Sequence, residues 1–314
     1  MYIIRYLLPW EIALFFWILM ETLATTILNH RVLTHGSGTF VYERAVRFWL
    51  FWSRSGMVKY REWVQNHAWH HAKTDTDEDT HTPWARNRLT GQRPLPRLWP
   101  WNFWVNGQSY YRTSLYLAEH PEELQRLATT DKNIRGALER LDAIRHLETK
   151  YHNVGRAMKI NLTVFALVAI PGAVSIASKF ESVALQVFVF VAAEALLAWL
   201  AIGLKVVAYL AGGFIVNKYG HMEKKEPHQS NVAWYFMTIS FFMLGEGWHR
   251  KHHDVPDAFN LGNTPWLDLG YAVSLLMAKF GVMEDICIRK KIGKRRYGER
   301  IVLYPSIARS IRLR

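Results

Sequence analysis

Residues 183–216 read VALQVFVFVAAEALLAWLAIGLKVVAYLAGGFIV, a long apolar run whose charged residues are Glu194 and Lys205. A helix crosses the hydrocarbon core of a bilayer, about 30 Å thick, with roughly 20 apolar residues at 1.5 Å each. This run is long enough to span. Residues 6–29 and 160–178 meet the same requirement. The sequence therefore predicts an integral membrane protein with three spanning helices.

Charge and hydropathy predict how the rest of the chain is arranged. Half of the 314 residues are hydrophobic, yet the mean hydropathy is −0.07, so the apolar residues are concentrated in the spans. The net charge is +13, and the basic excess lies in residues 30–159 and 217–314. By the positive-inside tendency these regions form a cytoplasmic cap, with the N-terminus outside. We expect one all-α domain over residues 1–314.

The basic cap limits the kinds of partner. It favours anionic lipid headgroups or an acidic soluble protein. Nucleic acid is not expected, since no nucleic-acid motif accompanies the charge. A single cysteine, Cys287, excludes an intramolecular disulfide and a cysteine-rich metal site.

Four stretches of the cap carry local signals. Residues 45–65 interleave Trp and Phe with Arg and Lys, which indicates an interfacial helix or re-entrant turn. Residues 72–112 are rich in Pro and predict a loop, and residues 120–150 predict an amphipathic helix. Two apolar segments, residues 230–247 and 265–286, predict helices packed on or embedded in the membrane face.

Histidine patterns give the functional signal. One triplet, HxxHH, occurs twice, as His67, His70 and His71 and as His249, His252 and His253. At i, i+3 and i+4 the imidazoles share one helix face. His30 and His35 form a further pair, whose i, i+5 spacing needs the helix to end or bend, and His221 follows Asn217 by four residues. With three spans, all nine histidines reach the cytoplasmic side.

Imidazole ligands narrow the choice of metal without settling it. Neutral imidazole suits zinc, copper, iron and nickel. A closed structural zinc site takes four ligands, so nine histidines imply two metals with room for exogenous ligands. Two redox metals could activate dioxygen.

The order of these elements resembles the membrane fatty-acyl desaturase family. The matching strings are His30-x4-His35, called here the first histidine box, His67-x2-His70-His71, the second box, Asn217-x3-His221, and Gly245-Glu246-Gly247-Trp248-His249-x2-His252-His253, whose histidines form the third box. The last two favour the acyl-CoA delta-9 branch, similar to stearoyl-CoA desaturases. In three places the chain departs from the family: it begins with the helix that ends in the first box, Gly36 stands where relatives usually have arginine, and Asp254-Val-Pro follows the third box.

The resemblance implies a site and a reaction. It implies a di-iron centre held by the nine histidines, with Asn217 acting through water. The reaction would use O2 and two electrons to place a cis double bond in a saturated acyl-CoA or lipid-bound acyl chain. The electrons would come from an external ferredoxin or b-type cytochrome with its reductase. Glu194 and Lys205 become candidates for lining the substrate channel.

Alternatives remain open at this stage. A hydroxylase on the same scaffold would put oxygen into its product, and a non-catalytic metal-binding membrane protein, such as a zinc transporter or a decayed desaturase, would give no product. Lys205 either lines the substrate channel, extends its ammonium to the membrane surface, or pairs with Glu194. The acidic run from Asp75 to Asp79 either orients ligand histidines or is a solvated loop. The other histidines, including His81, His120, His146, His152 and His228, are expected at the surface or at helix caps.

Overall fold

The computed structural model describes residues 2–56, 58–79, 102–148, 153–221, 244–262, 264–292 and 296–306. Its secondary structure is mostly helical, as predicted. Three of its helices are long and apolar enough to cross a membrane, over Trp10–Thr34, Gly155–Val174 and Val183–Lys205. The prediction of a polytopic helical protein is thereby confirmed for the described part of the chain.

The spans belong to α1 (Tyr2–Ala24), α7 (Val154–Ala177) and α8 (Val183–Gly220), and α7 packs against both of the others. Their shared core contains Trp10, Leu14, Phe165, Ala169, Leu197 and Ala201. The alanines let the helix backbones approach closely, which is how spanning helices associate where lipid is as apolar as the protein.

The first span differs from its predicted bounds of residues 6–29. Helix α1 continues directly as a π-helical segment, Thr25–Thr34, so that the span runs to Thr34. The sequence placed the end near residue 29 because His30 and Arg31 are polar. In the structure both side chains are buried by protein, which removes the reason to end the span before them.

The cap is built from short helices: α2 (Glu43–Ser55), α3 (Tyr60–Lys73), α4 (Asn102–Glu119), α5 (Pro121–Thr130) and α6 (Lys132–Ala143), followed by a 3-10 turn at Arg145–Leu147. Residues 45–65 therefore form parts of two helices. The loop predicted over residues 72–112 is wrong from residue 102 onward, where α4 begins. Residues 80–101 lie outside the described part of the chain.

The C-terminal part adds α9 (His249–Asp254) and α10 (Leu269–Lys279), with 3-10 turns at Glu246–Trp248 and Pro265–Leu267. It also contributes strands that the all-α prediction did not include. Strand β1 (Thr39–Phe40) pairs antiparallel with β2 (Met283–Glu284), and β3 (Ile286–Ile288) pairs antiparallel with β4 (Ile301–Leu303). Of the predicted apolar helix over residues 265–286, only α10 forms, and residues 230–243 lie outside the described part.

A polar network ties the spans together. The Lys205 ammonium contacts Glu21 Oε1 at 2.6 Å and the Ser55 carbonyl at 3.2 Å. Asn161 Nδ2 donates to the same carbonyl at 2.9 Å. The predicted alternative of a Lys205–Glu194 pair is therefore wrong. The sequence could not identify the true partner because Glu21 lies on a different span, and helix neighbours are set by packing.

Candidate metal centre

The structure brings all nine predicted histidines into two adjacent groups. One group consists of His30, His35, His67, His71 and His252, and the other of His70, His221, His249 and His253. Within each group, the candidate ligand nitrogens all lie within 4.8 Å of one another. Seven of the nine residues are buried. Each group is a candidate site for one metal ion.

Each HxxHH triplet is divided between the two groups. In α3, His67 and His71 join the first group while His70 joins the second. The triplet of α9 does the reverse, because its i, i+4 pair joins the second group and its i+3 histidine joins the first. Neighbouring residues on an α-helix point about 100° apart. Two facing helices therefore each supply both groups.

The π-helical segment explains how His30 and His35 reach the same group. Its wider turn is closed by a hydrogen bond from the backbone N–H of His35 to the carbonyl of His30, at 3.1 Å. Bonds of this i, i+5 type align residues five apart, and π-helical turns are frequently found at functional sites. The rings of His30 and His35 have centroids 5.0 Å apart. The expected break in the helix is thus a change of helix type.

Several distances within the groups fit a shared ion, although His71 Nε2 and His252 Nε2 lie closer together, at 2.7 Å. Two nitrogens about 2.1 Å from one metal lie roughly 3.0 to 3.4 Å apart at right-angled to tetrahedral ligand angles. In the first group, His252 Nε2 lies 3.0 Å from His30 Nε2 and 3.4 Å from His67 Nε2. In the second, His249 Nε2 lies 2.9 Å from His221 Nε2 and 3.1 Å from His253 Nε2.

Carboxylates lie behind two ligand histidines of the second group. His70 Nδ1 lies 2.8 Å from Asp79 Oδ1, and His221 Nδ1 lies 3.1 Å from Asp75 Oδ1. His70 donates from Nδ1 to Asp79 and so keeps its lone pair on Nε2, which faces the centre, whereas the Asp75 carboxylate lies beside His221 Nδ1 without hydrogen-bond geometry. Such lone pairs repel one another unless a cation lies between them.

The acidic run therefore divides into two kinds of residue. The carboxylates of Asp75 and Asp79 are buried behind ligand histidines, and the solvated-loop alternative is wrong for both. Asp77 is exposed, as that alternative predicted.

Glu246 serves the first group in the same way. Its Oε1 lies 2.8 Å from His30 Nδ1 and also accepts a hydrogen bond from the Thr26 hydroxyl. Burial raises the pKa of the Glu246 carboxyl, but its interactions with His30, Arg31 and the Thr26 hydroxyl outweigh this, and the pKa lies below its usual value. Glu246 belongs to the Gly245-Glu246-Gly247 motif, but the sequence alone did not indicate its role. Its signal was a carboxylate three residues before the third box.

Burial also sets the protonation state of the ligands. It lowers the pKa of His67, His252 and His253 well below 6.5, and the neighbouring histidines lower it further. These imidazoles are neutral at pH 7. Metals bind the neutral form, so these three ligands need no deprotonation before an ion enters.

A buried ion pair joins the first box to the C-terminal part. Arg31 Nη2 donates to Asp268 Oδ1 at 2.8 Å and to the Leu244 carbonyl at 2.9 Å. Asp268 also caps α10 by accepting from the Tyr271 N–H. Gly245, at φ 98°, leaves room for this pair, because a Cβ there would meet both charged side chains. The link holds the turn before the third box against the first.

The remaining predicted residues belong to neither histidine group, and all of them lie on α8. Asn217 is half-buried on the last turn of α8, four residues before His221. Its water-mediated role stays a prediction. Lys205 is held by Glu21, as described above, and Glu194 lies eleven residues earlier on α8. Their predicted place in a substrate channel is not tested by these contacts.

Comparison with known proteins agrees with the site. The family model described as fatty acid desaturase matches residues 7–284, which include all nine histidines. Curated proteins give no match to the chain.

Proposed function

Because the chain belongs to the fatty acid desaturase family, we propose that it is a di-iron membrane enzyme that places a cis double bond at the delta-9 position of a saturated acyl chain. The chain would be presented as an acyl-CoA or as a lipid-bound acyl group. The observation that carries this proposal is the pair of buried histidine groups whose ligand nitrogens converge.

The residues fit two irons. The first group would hold one iron with five imidazoles and the second would hold the other with four, Asn217 contributing through water. When bound, the irons would supply the oxidising chemistry, in which O2, two electrons and two protons, together with one hydrogen from each of two adjacent methylenes, give an alkene and two waters. Imidazole without thiolate suits iron among the available transition metals.

The protein's own contribution is orientation and exclusion of water. Asp79 and Glu246 hold the rings of His70 and His30 so that each Nε2 faces the centre. Burial of the groups keeps bulk water from the oxidising site, which protects the product from side reactions. The acyl chain must then be held beside the centre by the surrounding helices, with the depth of its entry setting the double-bond position.

Electrons and topology complete the proposal. An external ferredoxin or b-type cytochrome with its reductase would deliver electrons to a basic cytoplasmic face, where acidic carriers are attracted. The three spans would then place the N-terminus outside and the metal groups at the cytoplasmic membrane surface.

The test is mass spectrometry of total acyl chains from a desaturase-deficient host that expresses the protein. We expect new monounsaturated chains, and their fragmentation gives the double-bond position. His70→Ala and His252→Ala remove one ligand from each group and should abolish the product.

His146→Ala is the matched control, because His146 is an exposed histidine that pairs with Glu43 and belongs to neither group. Its product should equal that of the parent. Hydroxylated chains would refute desaturation in favour of oxygen insertion. Absence of any product, despite two bound irons and a supplied reductant, would refute catalysis on acyl chains altogether.

A further inference from the structure

The end of the π-helical segment leaves two buried carbonyls to be capped by a side chain. The carbonyls of residues 30–32 accept hydrogen bonds from the backbone N–H groups of residues 35–37 at 2.9–3.1 Å. The next two carbonyls, of Leu33 and Thr34, accept from a single guanidinium on α6. Arg140 Nε lies 2.8 Å from the Leu33 oxygen, and Arg140 Nη2 lies 2.6 Å from the Thr34 oxygen. Terminal helix carbonyls need such partners when they are buried.

Two glycines make room for this guanidinium. A Cβ on Gly36 would lie 2.6 Å from Arg140 Nη1, and one on Gly136 would lie 2.9 Å from the same atom. Gly36 also has φ +60°, a conformation that L side chains rarely adopt. The chain therefore lacks side chains on both sides of the Arg140 head. Burial lowers the pKa of Arg140 to about 10, so the guanidinium keeps its charge at pH 7.

The position of His35 depends on the Arg140 cap more than the position of His30 does. His30 has Glu246 behind it. Within the part of the chain that the structure describes, no carboxylate pairs with the His35 ring as Glu246 pairs with His30, and the buried Nε2 of His35 has no hydrogen-bond partner. Its ring instead contacts other ligand rings, at centroid distances of 5.3 Å to His67 and 4.6 Å to His71. The position of His35 is thus set by the backbone that Arg140 holds.

We propose that Arg140 is a positioning residue for the five-histidine group: it caps the π-helical segment from another helix and so holds His35 in ligating position. The proposal rests on the metal centre proposed above. It concerns one group only, because the four histidines of the other group come from α3, α9 and the end of α8. Groups bonded directly to a ligand side chain typically contribute 10–100-fold to metal affinity, so a residue that acts through the backbone should contribute about tenfold, at the low end of that range.

The experiment is a Co2+ titration of the full-length protein in nanodiscs after removal of metal by a chelator. The probe is the ligand-field absorption of bound Co2+. The parent should bind two ions per chain. Arg140→Met should weaken one of the two about tenfold and leave the other unchanged. Arg140→Lys should fall between, since a lysine head is a point donor that cannot span both carbonyls as the planar fork does.

Gly136→Ala supplies a second variant that acts on the position of the Arg140 head without removing it. Alanine is the better helix former, which offsets part of the cost of moving the cap, so the metal-free protein should still fold. Its methyl group would nevertheless displace the guanidinium, and one Co2+ should bind a few-fold more weakly. Arg135→Met is the control, because Arg135 is an exposed arginine of the same helix.

The outcomes separate the two proposals. Equal weakening of both ions, or parent-like binding in Arg140→Met and Gly136→Ala, would overturn the role of Arg140 while leaving the two-metal centre in place. A parent that binds no Co2+ would overturn both. If Arg140→Met fails to fold, Arg140→Lys and Gly136→Ala decide the result.

Discussion

Replacing Asp79 with asparagine should loosen the four-histidine group selectively. Asp79 is buried and accepts with both oxygens: Oδ1 faces His70 Nδ1 at 2.8 Å, and Oδ2 accepts from the backbone N–H of Asp75 at 2.8 Å. Asparagine has the same shape but a single acceptor oxygen. Whichever way its amide turns, an NH2 group faces one of the two donors.

The size of the effect follows from that mismatch. A buried donor left without an acceptor costs about 1–3 kcal/mol. If His70 loses its partner, its ring is free to turn or to adopt the other tautomer, and the metal it binds is held less tightly. Losses of an outer partner of a ligand histidine typically weaken metal binding 10–100-fold, or about 1.4–2.7 kcal/mol. We therefore expect Asp79→Asn to lower the affinity of one of the two sites by at least about tenfold.

The assay is iron release from the loaded protein along a series of chelator concentrations, with iron counted by mass spectrometry. The parent should release its irons at high chelator, and Asp79→Asn should release one at a concentration roughly tenfold lower. Asp77→Asn is the control, since Asp77 belongs to the same loop but is exposed. Release of iron from Asp79→Asn at the parent's chelator concentration would refute the reasoning.

Other predictions follow from the membrane part and the metal groups. Lys205→Met should destabilise the protein by about 3–5 kcal/mol because it leaves Glu21 buried without its partner. The double variant with Glu21→Gln should recover most of that loss. Unfolding midpoints in detergent measure both changes, and additive effects of the two substitutions would disprove the pairing. Removing the metals should lower the melting temperature of the protein by roughly 10 °C, because a ligand present at 1,000 times its Kd adds about 4 kcal/mol to the free energy of unfolding. Identical melting curves with and without metal would contradict this prediction. A nitroxide spin label on Leu276→Cys, in a Cys287→Ala background, should be more accessible to O2 than to a water-soluble nickel chelate in nanodiscs. The reason is that α10 exposes apolar residues beside the end of the first span. The same label on Glu122→Cys, at an exposed site of the cap, should be more accessible to the nickel chelate.

The spans could be predicted from the sequence because each is a local property. Length and hydropathy over about 20 residues decide whether a helix can cross a bilayer, and the described part of the chain contains three such helices. The contacts between spans could not be predicted. Lys205 and Glu21 are 184 residues apart, and no periodicity relates them. Helix α4 was missed because its residues follow a Pro-rich stretch and show no clear apolar stripe.

The ligands could be predicted for a similar reason, and their orienting groups only in part. A repeated HxxHH pattern places three imidazoles on one helix face whatever the fold. Asp79 is close enough in sequence to His70 to be proposed as its partner. Arg140 is not, since it comes from α6 and acts on backbone atoms that carry no sequence signal. Its trace in the sequence was Gly36, whose missing side chain could be explained only once α6 was placed.

The division of ligands between the two groups follows from helix geometry, and it makes the centre asymmetric. The two triplets contribute equally, because each gives its i, i+4 pair to one group and its i+3 histidine to the other. The difference comes from what completes each set of three. The π-helical segment adds two histidines to one group, and the end of α8 adds His221 alone to the other. Among the described residues, the group that contains His221 has four imidazoles and the other group has five, so the two candidate sites would present different ligand sets to their ions.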